Sequence, residues 1–328
     1  MNENGKPILE ARHLTKHFHI GGIFSKRIVR AVQDVSLSLY REHVTALVGE
    51  SGSGKSTIAR MLVKLYKPTQ GEILYDGENM VNLRSRRAML HYRSKVQMIF
   101  QDPFSSLNPV HTVHNHLNRP LLLHHRASTR KEREERIRDL LRRVAMTPVE
   151  DFVHKYPHQL SGGQRQRVAI ARALAVAPEV ILADEPISML DVSIRMGILN
   201  LMQALRDEQN ISFLYVTHDL ASARYFSDRI QVMYAGHMVE SAPAEDLIQN
   251  PLHPYTQLLL SAVPDPARGL RKRPDVEAKG EVPSLAVPLR GCPFAQRCPH
   301  VMPKCHQEMP PITNLSGERW VRCYLYEY

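Results

Sequence analysis

The chain has 328 residues, of which 43% are hydrophobic, and a formal net charge of +10. This length suffices for one large domain with an appendage or for two domains. No run of about 18 apolar residues is present, which excludes a membrane-spanning helix. The N-terminal MNENGKPILE lacks the apolar stretch of a secretory signal, so we expect a cytosolic protein. The basic charge suits a polyanionic partner such as nucleic acid, anionic lipid or phosphate, although a solvated basic surface is the simpler interpretation.

The first informative segment predicts a phosphate-binding loop. Residues 44–48, VTALV, form an apolar run rich in β-branched side chains, which predicts a buried strand, and residues 57–65 have helical spacing. Between them, GESGSGKS fits the pattern G-x-x-x-x-G-K-S/T. Glycines allow backbone N–H groups to turn toward phosphate oxygens, and the helix N-terminus adds partial positive charge. The predicted nucleotide-binding residues are Gly49, Glu50, Ser51, Gly52, Ser53, Gly54, Lys55, Ser56 and Thr57.

Three residues of this loop have distinct expected contacts. Lys55 is expected to contact the β- and γ-phosphates, Ser56 to bind Mg²⁺, and Thr57 to lie near the α-phosphate.

The segment between Gln101 and Leu160 has a different character. In TRKEREERIRDLLRRVAM, apolar residues recur at helical spacing, and Thr129 with Glu132 fits a capping box. We therefore predict an amphipathic helix with a charged outer face. The histidines of HTVHNH and LLHHR admit a metal site, although their carboxylate support is poor and a plain loop or helix surface is the alternative.

Two adjacent carboxylates follow a second predicted strand, residues 180–183. Because successive strand residues point to opposite sides, Asp184 is expected to bind Mg²⁺ while Glu185 faces and deprotonates the attacking water. A third strand-like run, ISFLYVTHD, places His218 just beyond a strand end. Ligands bind at the carboxyl ends of strands in doubly wound sheets, so we expect His218 to contact the γ-phosphate.

Further motifs give the chain a family resemblance. LSGGQ, Leu160–Gln164, resembles the signature of ATP-binding cassette (ABC) ATPases. Gln101 in QMIFQDP matches the Q-loop glutamine of that family, and Asp191 in SMLD matches its D-loop. His218 matches the switch histidine, and Phe18 stands where an aromatic residue stacks on adenine. The resemblance covers most of residues 8–250, with small departures at Ile187 and Met189 that remove no nucleotide contact.

The resemblance implies a P-loop NTPase of α/β class that uses ATP and Mg²⁺. Residues 1–250 are then the nucleotide-binding domain, with an inserted helical subdomain at about 102–165 that meets a membrane partner. Gln101 would also bind Mg²⁺ and take part in catalysis. In such proteins the nucleotide lies between two subunits, so a set of signature and D-loop residues is expected to contact the ATP of a partner: Ser161, Gly162, Gly163, Gln164 and Asp191.

The C-terminal residues 251–328 form a predicted extension. NPLHPYTQLLLSAVPDP indicates a short apolar helix between turns and resembles the segment that follows the cassette in oligopeptide and dipeptide importers; a polar linker, residues 268–283, comes next. All four cysteines then follow at wide spacings: Cys292, Cys298, Cys305 and Cys323. A [4Fe–4S] cluster, a zinc ion and reduced thiols are the three alternatives, and by resemblance we favour the cluster, in a separate metal-stapled lobe.

The leading hypothesis is an ATPase subunit of a bacterial importer of short peptides, at the cytoplasmic side of the plasma membrane. The implied partners are a second, non-identical ATPase, two permease subunits and a solute-binding protein, without nucleic acid. A basic insertion within residues 17–37 resembles the second of the two ATPases of such importers. The alternatives are import of an oligosaccharide, nickel or an opine, a soluble cassette protein of DNA repair or translation, and a binding module without turnover.

Overall fold

The computed structural model describes residues 5–21, 27–262, 282–316 and 318–327. The chain divides into two compact units, of which the first comprises Met1–Tyr40, Val44–Val81 and Tyr215–Tyr328 and the second Arg41–His43 and Asn82–Leu214. Most of the predicted polar linker and the centre of the predicted basic insertion lie outside the described residues.

The first unit contains an antiparallel sheet with the strand order β2-β1-β4-β5. Its strands are β1 (Leu9–Ile20), β2 (Arg27–Leu39), β4 (Gln70–Tyr75) and β5 (Glu78–Asn79). Along the start of β1, Leu9 and Ala11 are buried while Glu10 between them is more exposed, as the two-residue repeat of a strand with one buried face requires.

The phosphate loop follows a strand of a second group in the same unit, with the order β11-β12-β10-β9-β3. These strands are β3 (Val44–Val48), β9 (Arg229–Tyr234), β10 (His237–Pro243), β11 (Thr313–Leu315) and β12 (Arg319–Val321). Strand β3 is parallel to β9 and buried along its whole length, so the predicted strand is confirmed. An apolar run without alternation is typical of such a strand.

The helices of the first unit are α1 (Lys55–Leu62), α9 (Leu220–Phe226), α10 (Ala244–Gln249), α11 (Pro254–Ser261) and α12 (Pro303–Gln307). Helix α1 begins and ends earlier than the predicted 57–65. It begins after Gly54, which has a left-handed φ of 106°, and it ends before Lys64, which has a φ of 58°. The predicted apolar helix of the C-terminal extension is α11, which begins with Pro254 at its first position.

The second unit contains the parallel strands β6 (Val96–Ile99) and β7 (Val180–Asp184), with β8 (Ser212–Thr217) next to β7. Strand β8 contributes residues 212–214 to this unit and 215–217 to the first. The helices of the second unit are α2 (Arg86–Lys95), α3 (Pro103–Ser106), α4 (Val113–Leu123), α5 (Arg130–Arg143), α6 (Glu150–Val153), α7 (Gly162–Leu174) and α8 (Val192–Gln209). Within the described ranges, no helix has the length and apolar character needed to cross a membrane.

Helix α5 confirms the predicted amphipathic helix, with Ile137, Leu140 and Leu141 buried. The Thr129 side chain accepts a hydrogen bond from the Glu132 N–H at 3.1 Å, as the capping box predicts. The reciprocal bond differs, because the Glu132 carboxylate accepts from the N–H of Ser128, one residue before the cap, at 2.8 Å.

The C-terminal extension joins the first unit instead of forming a separate lobe. Strand β12 pairs with β10, with Val321 opposite Glu240 and Trp320 opposite Ser241. The extension therefore continues a sheet of the first unit, and backbone pairing supplies order that a small segment with little core of its own would lack.

A buried carboxylate anchors the start of α11. Glu240 on β10 is fully buried and accepts hydrogen bonds from the backbone N–H groups of Leu252 and His253, both at 2.9 Å. The His253 ring nitrogen Nδ1 accepts from the Tyr255 N–H at 3.1 Å. Burial lowers the pKa of His253 to about 3 and that of His237 to about 4, and it raises the pKa of Glu240.

These shifts predict that acid destabilises the protein. The folded state keeps His253 and His237 neutral, whereas the unfolded chain binds protons below the ordinary histidine pKa of 6.5. Each histidine therefore removes up to about 1.4 kcal/mol of unfolding free energy per pH unit below that value, partly offset by Glu240. We therefore expect the thermal midpoint of unfolding to decrease as the pH is lowered from about 7 to about 5. His253→Asn keeps a hydrogen-bond acceptor but removes the titrating group, so its thermal midpoint should depend less steeply on pH. His19→Asn, at an exposed histidine, should leave the pH dependence as it is in the wild type. An unchanged slope in His253→Asn would contradict the prediction.

Candidate nucleotide site

The phosphate loop surrounds a buried lysine. The Lys55 ammonium donates hydrogen bonds to the carbonyl oxygens of Gly49 at 2.6 Å and Glu50 at 2.9 Å. Ser53 is also buried, whereas Ser51 and Gly52 at the tip are exposed and Ser56 and Thr57 are half-buried in the first turn of α1. The loop thus holds a cation beside the N-terminus of a helix, as anion binding requires.

Two glycines of the loop touch neighbouring backbone. A Cβ atom on Gly54 would lie 2.2 Å from the carbonyl oxygen of Ala31, and one on Gly49 would lie 2.1 Å from that of Met233. Gly54 also has the left-handed φ of 106°, which favours glycine. At Gly52, by contrast, no atom of the described residues beyond its two chain neighbours lies within 4 Å of the added Cβ, although its φ of 78° is also left-handed.

The other predicted nucleotide contacts of the first unit are Phe18 and His218. Phe18 is half-buried on β1, with its ring edge-on to Tyr66 at a centroid distance of 5.3 Å, and the Lys16 ammonium lies 5.0 Å from its ring centroid. His218 is exposed and directly follows β8, and the next residue, Asp219, caps α9.

In the second unit the predicted carboxylates stand at the end of β7. Asp184 is the last residue of the strand and is fully buried. The expected alternation along a strand is wrong for Glu185, because β7 ends before it and its φ of 45° is left-handed. A left-handed turn therefore directs Glu185, and strained backbone of this kind occurs at functional sites.

The structure brings Gln101 and Glu185 together. The Gln101 side-chain amide Nε2 donates a hydrogen bond to Glu185 Oε2 at 2.9 Å. Both side chains are half-buried. Gln101 lies two residues beyond the end of β6, so the parallel pairing of β6 and β7 brings the two motifs to the same edge.

The signature sequence begins α7. Ser161 is the exposed N-cap, its hydroxyl accepts from the Gln164 N–H at 3.3 Å, and the Gln164 side chain accepts from the Ser161 N–H at 3.0 Å. This capping box fixes the orientation of the first turn. Gly163 packs tightly, since a Cβ there would lie 2.6 Å from the Ile194 side chain.

Asp191 is the exposed N-cap of α8. Three large apolar side chains around it are also exposed, Met189 at 53%, Val192 at 76% and Met196 at 44%. The predicted D-loop and the first turns of α8 therefore expose apolar side chains close in sequence to the Asp191 carboxylate.

The predicted metal site of the four cysteines is not supported. All four are free thiols, and Cys292 packs against a small cluster that includes Cys305. Burial, with a contribution from the neighbouring thiols, raises the pKa of Cys292 to about 12 and that of Cys323 to about 11. Among the described residues, which include every cysteine, no group of three or more His, Cys, Asp or Glu side chains is arranged to hold a metal ion.

The histidines of α4 likewise form no metal site with other described residues. His114 Nε2 lies 2.9 Å from a carboxylate oxygen of Glu134, and His116 Nε2 lies 3.1 Å from the carbonyl oxygen of Asn108. These histidines therefore have local structural partners in the second unit.

Sequence reasoning missed two residues that contact the phosphate loop. Arg297 and Tyr255, both in the C-terminal extension, bind Glu50. Neither lies in a recognisable motif for phosphate binding, and 247 positions separate Arg297 from Glu50, so local pattern offers no signal.

A glycine loop around a buried lysine, between a buried parallel strand and a helix, defines a P-loop nucleotide-binding protein of α/β class. Comparisons with known proteins identify the family. A family model described as ABC transporter matches residues 32–188, and one described as oligopeptide/dipeptide transporter, C-terminal region, matches residues 239–305.

Similar proteins match over nearly the whole chain. The oligopeptide transport ATP-binding protein AppF of Bacillus subtilis (strain 168) is 46% identical over 327 residues, which cover 98% of each protein. OppF of Escherichia coli (strain K12) is 41% identical over 320 residues, 95% of this chain and 94% of OppF. A solved dimeric post-hydrolysis state of the ATP-binding cassette MJ0796, bound to ADP and Pi, aligns with a TM-score of 0.65 and 33% identity over 72% of this chain and 98% of that one. The chain therefore belongs to the ABC transporter family, in the branch of oligopeptide and dipeptide transport ATP-binding proteins.

The loop geometry predicts different outcomes at two glycines. Gly54→Ala should reduce ATP affinity by at least tenfold, because its Cβ collides with a backbone carbonyl that cannot rotate away. Gly52→Ala is the matched control, because it adds left-handed backbone strain of about 1–2 kcal/mol without a clash with the described residues. Fluorescent ATP-analogue titration measures both, and equal affinities in the two variants would refute the assignment of the loop.

Proposed function

We propose that this chain binds and hydrolyses ATP to drive the import of short peptides through separate permease subunits. The observation that carries the peptide assignment is the match of residues 239–305 to the C-terminal region of oligopeptide/dipeptide transporters. The relatives AppF and OppF, which match over nearly the full chain, have names that specify oligopeptide transport. An importer of another solute remains the second candidate for the cargo alone.

The residues at the edge of β7 and in the phosphate loop suit ATP hydrolysis. Lys55 would bind the β- and γ-phosphates, with the backbone N–H groups of the loop around them. Ser56, Gln101 and Asp184 would hold Mg²⁺, which prefers such oxygen ligands and neutralises phosphate charge when bound. The full burial of Asp184 fits this role, since a metal would compensate a carboxylate withdrawn from water.

Glu185 is the proposed base. Its hydrogen bond with Gln101 holds the carboxylate in one orientation, so that its other oxygen can accept a proton from water. We assign His218 to the γ-phosphate and Phe18 to the adenine ring. Because catalysis of phosphoryl transfer consists largely of positioning and charge stabilisation, these contacts account for the chemistry that the chain has to supply.

A second ATPase would complete the site. The exposed Ser161 turn, with Gly162, Gly163 and Gln164, presents a helix N-terminus that suits the γ-phosphate of a partner. The exposed apolar side chains around Asp191 support the same proposal, since adjacent exposed apolar residues mark association surfaces. We propose a non-identical partner, in line with the basic insertion before the core strand.

We further propose that the assembly lies at the cytoplasmic face of the bacterial plasma membrane, with two permeases and a solute-binding protein. The excess of basic residues in the sequence, 43 Lys and Arg against 33 Asp and Glu, suits an anionic membrane surface. The described helices do not span a membrane, so the pore requires other chains.

Neutralising the proposed base should separate binding from turnover. We expect Glu185→Gln to lower the ATP hydrolysis rate by at least about a hundredfold while ATP affinity stays within about twofold, since general-base loss removes that much rate. Glu208→Gln removes an exposed carboxylate of the same unit and serves as the matched control. Phosphate release and ATP titration on the assembled transporter give the two readouts. Hydrolysis at the wild-type rate in Glu185→Gln would exclude this residue as the base.

The Glu185→Gln variant also tests the partner. With ATP and Mg²⁺, we expect it to remain a monomer alone and to form a dimer when the companion ATPase of its transporter is added, as light scattering would show. A stable ATP-dependent homodimer would contradict the proposed heterodimer.

A further inference from the structure

The C-terminal extension binds the phosphate loop directly. The Arg297 guanidinium makes two hydrogen bonds with the Glu50 carboxylate, from Nη1 to Oε2 at 2.9 Å and from Nη2 to Oε1 at 3.1 Å. The two side chains are only 12% and 28% exposed. A two-pronged pair of this kind fixes orientation as well as distance, and partial burial reduces its screening by water and salt.

Tyr255 binds the main chain of the same loop residue. Its hydroxyl accepts a hydrogen bond from the Glu50 N–H at 2.8 Å, while the Glu50 carbonyl oxygen accepts from Lys55 at 2.9 Å. The N–H, the carbonyl oxygen and the carboxylate of Glu50 are therefore all bound, and the extension binds two of these three groups, the N–H and the carboxylate. This sets the direction in which the chain leaves β3 and enters the glycine-rich part of the loop.

A cluster of three aromatic rings holds Arg297 in place. Its guanidinium lies 5.8 Å from the ring centroids of both Tyr234 and Phe294, and it donates to the Tyr234 hydroxyl at 3.2 Å. The Tyr255 ring packs against the same two rings, at centroid distances of 4.5 and 5.4 Å. Arginine on aromatic faces with a carboxylate at its fork is well ordered, and lysine cannot reproduce that geometry.

The support extends to the buried turn before α11. Glu240 binds the N–H of His253, and the His253 ring binds the N–H of Tyr255. A continuous series of contacts therefore connects β10, the turn, Tyr255 and the phosphate loop.

We propose that Arg297 and Tyr255 are positioning residues that hold the phosphate loop in its nucleotide-binding shape, so that the C-terminal extension sets the ATP affinity of the site. The inference rests on the proposed function, because it assumes that this loop binds ATP. A loop with three glycines at positive φ, Gly49, Gly52 and Gly54, would otherwise populate several shapes, and apparent affinity falls in proportion to the competent fraction.

The test is a set of variants of the full-length chain. Arg297→Met keeps length and apolar packing but removes the fork, and Tyr255→Phe removes only the hydroxyl. We expect each variant to weaken Mg·ATP binding about five- to tenfold. If the fraction of free protein with a binding-competent loop falls by that factor, the apparent dissociation constant rises by the same factor. Arg297→Lys should be intermediate. The matched control, Arg290→Met, removes an exposed arginine of the same segment and should bind ATP as the wild type does.

Two further readouts separate positioning from general stability. In the assembled transporter, KM for ATP should rise in Arg297→Met while kcat changes less than about twofold, because the chemistry is untouched once the loop is occupied. The double variant Glu50→Gln/Arg297→Met should weaken ATP binding no more than either single change does, as expected for residues that act as a pair.

The outcomes are distinct. If Arg297→Met and Tyr255→Phe lower the thermal midpoint but leave ATP affinity and KM unchanged, the contacts are merely structural and the inference is wrong. If Arg297→Met does not fold, Tyr255→Phe decides by the same criterion. If the wild-type chain itself binds no ATP, the proposed function fails instead.

Discussion

The nucleotide site depends on the close approach of backbone to backbone at Gly49 and Gly54. At both positions a single added carbon would meet a carbonyl oxygen of a neighbouring strand at little more than 2 Å, so the loop lies against the sheet as closely as glycine allows. This packing leaves Lys55 enclosed by the carbonyl groups of its own loop. The binding charge is therefore held in place before any nucleotide arrives, and little ordering has to accompany binding.

The second unit carries the proposed chemistry and the surface for a partner on separate elements. Glu185 and Gln101 meet at the ends of two parallel strands, whereas Ser161 and Asp191 are the caps of two helices. A left-handed turn after β7 and the hydrogen bond from Gln101 orient the proposed base, whereas helix caps expose polar groups with defined direction. The proposed base and the proposed partner contacts therefore depend on different elements of the second unit.

The sequence predicted what is local and missed what is distant. The phosphate loop, the signature helix and α5 are encoded within short stretches, so their position and caps could be predicted to within a few residues. The direction of the Glu185 side chain could not be predicted, because the chain makes a left-handed turn at this residue, where the pattern predicted the continuation of a strand. The Arg297–Glu50 pair joins residues 247 positions apart, and the pairing of β12 with β10 likewise joins segments that are distant in sequence. Four clustered cysteines suggested a metal lobe, but the structure shows an extension held by strand pairing and aromatic packing.

The pairing of β12 with β10 also bears on solubility. Without residues 313–321, β10 would present unsatisfied N–H and C=O groups along one side, and such an edge pairs readily with other chains. The outer strand in the intact protein, β11, has only three residues and offers little template for this. Residues 313–315 and 319–321 thus shield this side of the sheet against edge-to-edge pairing with other chains, a role that is independent of nucleotide.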